Sequence, residues 1–293
     1  MSVSIKPNRI SASSMKCAMN AAAVACASFY FTVHATQAIA QAPSGLQNSQ
    51  IEIAYGQPSN RSYQLIYDRL KNRKVLEELQ QFLTPLRLPR KLTVKVDQCG
   101  AAARPYKPLE PITICYELID QIEKVAAKSD PKSRPSMIAG AFIQVVLYEV
   151  AHAMFDILQI PVWGRSGDAA DRLAALVMLQ FGEELALRTV KGSTDFFLAS
   201  KKTWTGSAFA DANSPEEQRY YNYLCIAFGG APISFDFLVS GNEPTLPLNR
   251  ARRCWGEYQQ VRMAFNLRVM PFVDPDLLIK VRSAQWLLPG DVR

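Results

Sequence analysis

From Ser136 to Leu158 the chain reads SMIAGAFIQVVLYEVAHAMFDIL, which is apolar on almost every side when wound as a helix. Such a helix has to be surrounded, so it forms the buried centre of whatever the rest of the chain builds. Pro161 ends it. Two groups within it resist burial. Glu149 carries a carboxylate that is costly to take out of water without a partner. His152 lies four residues after Tyr148, on the same helix face. The resulting Tyr-Glu-x-x-His differs by one residue from the His-Glu-x-x-His pattern. In that pattern two imidazoles hold zinc and the glutamate is general base toward the metal-bound water. On spacing alone, a single histidine on an apolar helix reads more readily as a hydrogen-bonded core residue.

The flanks set the fold class. Ile51 to Tyr55 and Leu92 to Val96 alternate as strands, and Ile112 to Cys115 reads as a third strand beside the second. Between the first two, Tyr63 to Phe82 repeats apolar residues at helical spacing, and Glu117 to Ala127 starts a further helix. Beyond the central helix, Asp168 to Val190 reads as one helix and Asn249 to Leu267 as another. Ser214-Pro215-Glu216-Glu217 is a helix start, with a capping hydroxyl, proline in the first turn and acids near the positive dipole end. The expected class is α+β in one domain over residues 41–293. A small mixed β-sheet lies within 41–130, and a mainly helical body follows over 131–293.

The first forty residues stand apart. Lys6, Arg9 and Lys16 precede an apolar stretch from Cys17 to Val33, and Ala38-Ile39-Ala40 supplies small residues before Gln41. That order predicts a secretory signal peptide over residues 1–40, cleaved after Ala40. An uncleaved anchor is the alternative, disfavoured because Asn20, Ser28 and Thr32 interrupt a stretch already short for a span. The expectation is a periplasmic or secreted protein with no membrane span after cleavage. Without the three leader cations the net charge of +7 falls to +4, too mild and scattered for a nucleic-acid surface.

Four cysteines remain, and four allow three pairings. The local pairing, Cys99 with Cys115 and Cys225 with Cys254, keeps each bond within one structural block. Each is expected to stabilise by about 3 kcal/mol. No Cys-x-x-Cys spacing exists, which disfavours a cysteine zinc site. Arg250, Arg252 and Arg253 read as a solvated helix face, and Arg219-Tyr220-Tyr221 as packing plus one salt bridge. Trp163, Trp204, Trp255 and Trp286 read as core or half-buried residues, with the lining of a cleft as the alternative.

Longer stretches carry a resemblance. Tyr148-Glu149-Val150-Ala151-His152-Ala153-Met154-Phe155-Asp156 is followed by Pro161-Val162-Trp163-Gly164-Arg165-Ser166-Gly167-Asp168-Ala169-Ala170-Asp171. Together they resemble a family of exported bacterial proteins classed as putative metallopeptidases, whose pattern here is HELGHALFD and then PxxGxEEDAAD. Thr113 to Glu117, Glu217 to Cys225, and Leu246-Pro247 leading into Arg250 to Cys254 match as well. The resemblance implies a zincin-like fold with Glu149 as general base and zinc on the helix.

The departures fall on the implied ligands. Tyr148 stands for the first histidine, and Ser166 and Gly167 stand for the two glutamates. In the thermolysin-like arrangement a glutamate on the next helix is the third ligand, and an aspartate four residues on supports a ligand histidine. Gly167 and Asp171 hold that spacing. The resemblance also places a histidine near Asn213, and His152 is the only histidine after the leader.

Two functional readings follow, with a purely structural envelope protein as a third. In the first, the protein is a catalytically impaired or inactive homologue with no cofactor, binding or regulating an unknown peptide or protein. Tyr148 then donates to Asp171, and Glu149 pairs with His152. In the second, it is an active zinc metallopeptidase with metal held by Tyr148, His152 and Asp168 or Asp171. That set is a poor zinc site beside two imidazoles and a carboxylate.

Overall fold

The computed structural model describes residues 50–101, 105–201, 210–211, 213–240 and 244–283. The expected leader, Trp204 and Trp286 lie outside them. Strands β1 (Ile51–Tyr55), β2 (Leu92–Asp97) and β3 (Ile112–Cys115) form one sheet in the order β1-β2-β3. Both pairings are parallel, with Ile51 opposite Leu92 and Asp97 opposite Cys115. The sheet is therefore parallel rather than mixed. The stretch between the first two strands carries two helices, the kind of long connection a parallel pair requires.

Those helices are α1 (Gln64–Asn72) and α2 (Val75–Leu83), not the single helix expected over 63–82. The break sits at Lys74, whose φ of 53° is left-handed, in a run Asn72-Arg73-Lys74 with no apolar residue to bury. Cys99 and Cys115 are disulfide-bonded with Cα atoms 5.5 Å apart, closing the segment that joins β2 to β3. Helix α3 (Tyr116–Ala126) follows directly.

The apolar run forms α4 (Arg134–Ile157). It is long and apolar enough to cross a membrane by composition alone, but two cores share it instead. Phe142, Val146, Val150 and Met154 face a core made by the sheet, α1 and α2. Met137, Ala141 and Leu147 face a second core made by the later helices. That double burial explains why no side of the sequence is polar.

One helix expected over 168–190 is in fact two, α5 (Ser166–Met178) and α6 (Glu183–Ala199). Gly182 separates them at φ 90°, a conformation glycine adopts cheaply. Glu183 and Glu184 then open α6 at its positive end. α6 lies tight on α4: the Ser193 hydroxyl donates to the Gly140 carbonyl at 2.9 Å.

Helix α7 (Glu216–Gly230) starts at Pro215 without a side-chain cap. Ser214 instead accepts a hydrogen bond from Arg165 at 3.3 Å. After the short α8 (Phe237–Ser240), α9 (Leu248–Arg268) is bonded to α7 through Cys225–Cys254, Cα atoms 4.8 Å apart. Both disulfides pair as the sequence predicts and imply an oxidising environment. Helix α10 (Pro275–Ser283) begins beside the segment that follows α2, where the Asp274 amide donates to the Pro85 carbonyl at 2.8 Å and Arg87 pairs with Asp274.

Candidate functional site

Helix α4 presents two polar stripes, each read by different neighbours. Gln144, Tyr148 and His152 follow one another at four-residue spacing, and the Tyr148 and His152 rings meet edge to face at 4.7 Å. Opposite them stand Asp171 on α5 and Arg219 on α7. The Arg219 guanidinium donates from Nε to Asp171 Oδ2 at 2.7 Å and from Nη2 to Oδ1 at 2.8 Å. Gln144 adds a third bond to Oδ1 at 3.1 Å. Asp171 is 2% exposed, so a charge-assisted fork satisfies its carboxylate where water cannot.

The same guanidinium lies 5.4 Å from the Tyr148 ring centre and 4.5 Å from that of Phe197 on α6. The expected hydrogen bond from Tyr148 to Asp171 is therefore absent, because Arg219 takes both oxygens. Tyr148 donates instead to Asn213 Oδ1 at 2.5 Å. Burial pushes its phenol well above the ordinary range, partly opposed by Arg219. It stays protonated at neutral pH.

The second stripe is Glu149 and Asp156. Glu149 Oε2 accepts the Tyr106 backbone N–H at 3.0 Å, and the Tyr106 hydroxyl donates to Asp156 Oδ2 at 2.9 Å. Arg90 pairs with Asp156 and donates to the Tyr106 hydroxyl at 3.1 Å. The segment between β2 and β3 is thus clamped across this stripe. The expected Glu149–His152 pair is not made among the described residues; Glu149 accepts the Tyr106 N–H instead. Among the described residues no hydrogen bond reaches the His152 imidazole. Burial pushes its pKa below the usual value, with Asp171 acting in the other direction.

Burial raises Glu149 to about 7, with the Tyr106 N–H offsetting part of the rise. Its folded pKa exceeds its unfolded one, so the folded state holds the proton more tightly. The associated stability is present below about pH 4.5 and is lost as pH rises through 7. Glu149→Gln should remove this pH dependence and leave the protein about 2–3 kcal/mol more stable than the parent at pH 8. Urea titrations at pH 5.5 and 8 measure it; parallel stability curves for the two proteins would contradict it.

Asp168 sits in the first turn of α5, and its Oδ1 is buried with no partner among the described residues. It joins no group of three His, Cys, Asp or Glu donors among the described residues. Among those residues, only Cys99, Cys115 and Glu117 bring three donor atoms of His, Cys, Asp or Glu within 4.8 Å of one another, and both sulfurs there are spent in the disulfide. A catalytic zinc needs three converging protein ligands. Here Asp171 is committed to Arg219, and the same guanidinium lies over the Tyr148 ring, a fixed positive charge where a cation would have to sit. The donor set does not fit zinc.

Arg219 makes the one salt bridge its segment suggests, but the segment alone does not disclose its place between Tyr148 and Asp171. The signal was an aspartate in the apolar register of Ala170, Ala174 and Ala175, a place that requires a cation. Gln144, equally conspicuous within the apolar run, is the other sign of a buried polar partner. Arg252 and Arg253 are exposed as expected. Arg250 is half-buried rather than fully solvated: it forks onto Glu257 at 2.5 and 2.9 Å. Trp163 and Trp255 are 93% and 67% exposed, contrary to a core placement.

A family model described as "Putative metallopeptidase" matches residues 55–267. That span holds both α4 stripes, Asp171, Asn213 and Arg219. No curated protein and no solved structure matches the chain.

Proposed function

The chain belongs to that metallopeptidase family, and we propose that it is a member in which the peptidase site has become a metal-free polar network serving binding rather than hydrolysis. One observation carries the reading: Arg219 takes both oxygens of Asp171 and lies over the ring of Tyr148. A fixed guanidinium supplies the counter-charge that a metal centre would otherwise supply. Tyr148 and Asn213, joined to each other, stand where the resemblance places two histidines. A cleaved leader over residues 1–40 would carry the protein to the periplasm or beyond, matching its two disulfides.

Glu149, at about 7, keeps a pKa suited to a general base. That favours, as the second reading, an active zinc peptidase built on Tyr148, His152 and Asp168 or Asp171. Metal analysis after purification in zinc-containing buffer separates the two. We expect far less than one zinc per chain, with no change in His152→Ala. Stoichiometric zinc that vanishes in His152→Ala would overturn the proposal. The variant Tyr148→His with Gly167→Glu is the positive arm, expected to retain zinc through dialysis.

A further inference from the structure

Helices α5 and α9 enclose a groove with two unlike halves, and none of Tyr148, Glu149, His152 or Asp171 lines it. One half is an apolar hollow of about 390 Å³ walled by Phe155, Leu173, Val261 and Phe265, with Trp163 at its edge. Trp163 is 93% exposed, and an indole left in water beside a hollow is the kind of exposed apolar group that marks an interaction site. Arg172 and Arg268 also line the hollow, and no acidic residue does. Neither guanidinium has an ion-pair partner among the described residues.

The other half, of about 930 Å³, is polar and carries Gln218, Tyr221, Asn222 and Asn249. Arg172, Gln260 and Val261 line both halves, so the groove is continuous. The carboxylates of the polar half are committed, Glu257 to Arg250 and Glu217 to Lys201. The net field of the groove is therefore positive and centred on its apolar end.

We propose that this groove binds the C-terminal end of an extended polypeptide whose last residue is large and apolar. The terminal carboxylate meets the Arg172 fork, a geometry suited to bidentate pairing, and Arg268 adds to the attraction. The last side chain enters the hollow beside Trp163. The preceding peptide groups run into the polar half, where the exposed amides of Gln218 and Gln260 offer both donors and acceptors to backbone N–H and C=O, and Asn249, whose oxygen already accepts the Arg250 N–H, offers its NH2. An anionic lipid would match the hollow and the cations but has no use for that row of amides.

The inference specifies the ligand of the binding role proposed above, yet Arg172, Arg268 and Trp163, on which it turns, take no part in the α4 polar network; Phe155 alone touches it, through the His152 ring. A zinc result against that role leaves it standing, and its own failure leaves the metal-free network standing.

The test pans the immobilised full chain with a degenerate hexapeptide library in two forms, free acid and C-terminal amide. Titration of an enriched peptide follows. Enrichment is expected only among free acids ending in Phe, Leu, Ile, Met or Trp. Amidation, Arg172→Gln and Trp163→Ala should each weaken binding by about tenfold or more. The amide arm needs no mutation, so it stands even if a variant folds poorly. Equal enrichment of amides, no enrichment, or indifference to both substitutions overturns the proposal. So does tighter binding, through the same two residues, to vesicles of phosphatidylcholine and phosphatidylglycerol.

Discussion

Alanine at Gly192 is expected to lower the stability of the protein by about 3–5 kcal/mol, although it adds one methyl group. A Cβ at that position would stand 1.8 Å from the Ser136 carbonyl oxygen and 3.2 Å from the Gly140 Cα. Both obstacles are backbone, so no side chain can swing away. α4 and α6 would have to separate, breaking the bond from Ser193 to the Gly140 carbonyl and loosening the second core along its length. At about 2–4 °C per kcal/mol for a domain of this size, the melting temperature should fall by about 10 °C.

Gly256, within α9, provides a control of opposite sign, because a Cβ there meets nothing within 4 Å. Gly256→Ala should raise stability by about 0.5–1 kcal/mol, since it removes backbone freedom from the unfolded chain. Thermal unfolding followed by circular dichroism compares the two. Equal shifts in the same direction would show that the α4–α6 approach does not set the cost.

That approach also marks the limit of what the sequence discloses. The apolar run announces a surrounded helix, and α4 is one. The strands, the disulfide partners and the ends of α3 and α9 follow from alternation, block structure and helical period. Period alone does not show that Lys74 and Gly182 break two long patterns, since a left-handed residue costs little once neighbouring helices gain from packing separately.

The site was legible on one side only. Tyr148, Glu149 and His152 stand out because polar groups in an apolar helix need explanation. Their partners come from other elements, Tyr106 from the segment after β2, Asn213 from before α7, and Arg219 from α7 itself. Spacing within one helix cannot choose among distant donors. A short hydrogen bond between Tyr148 and Asp171 was chemically reasonable, but a forked cation is the stronger competitor for a buried carboxylate. The same contest explains Glu149, for which a fixed backbone N–H nearby outcompetes a histidine one turn away.

If Arg219 is the counter-charge of Asp171, removing it alone should be among the most damaging changes in the molecule. Arg219→Met leaves the Asp171 carboxylate 2% exposed with only Gln144 to satisfy it, and stability should fall by about 3–5 kcal/mol. Tyr148 and Phe197 lose the cation that lies near their rings at the same time. Asp171→Leu alone should be costly for the converse reason, because a guanidinium with 19% of its side chain exposed then has no carboxylate. The double variant, Arg219→Met with Asp171→Leu, removes both desolvated charges and fills their space with apolar groups, so much of the loss should return. A double-mutant cycle in urea is expected to give a coupling of about 2–3 kcal/mol. Additive single effects would mean that Arg219 is held by aromatic packing and that something else balances the charge of Asp171.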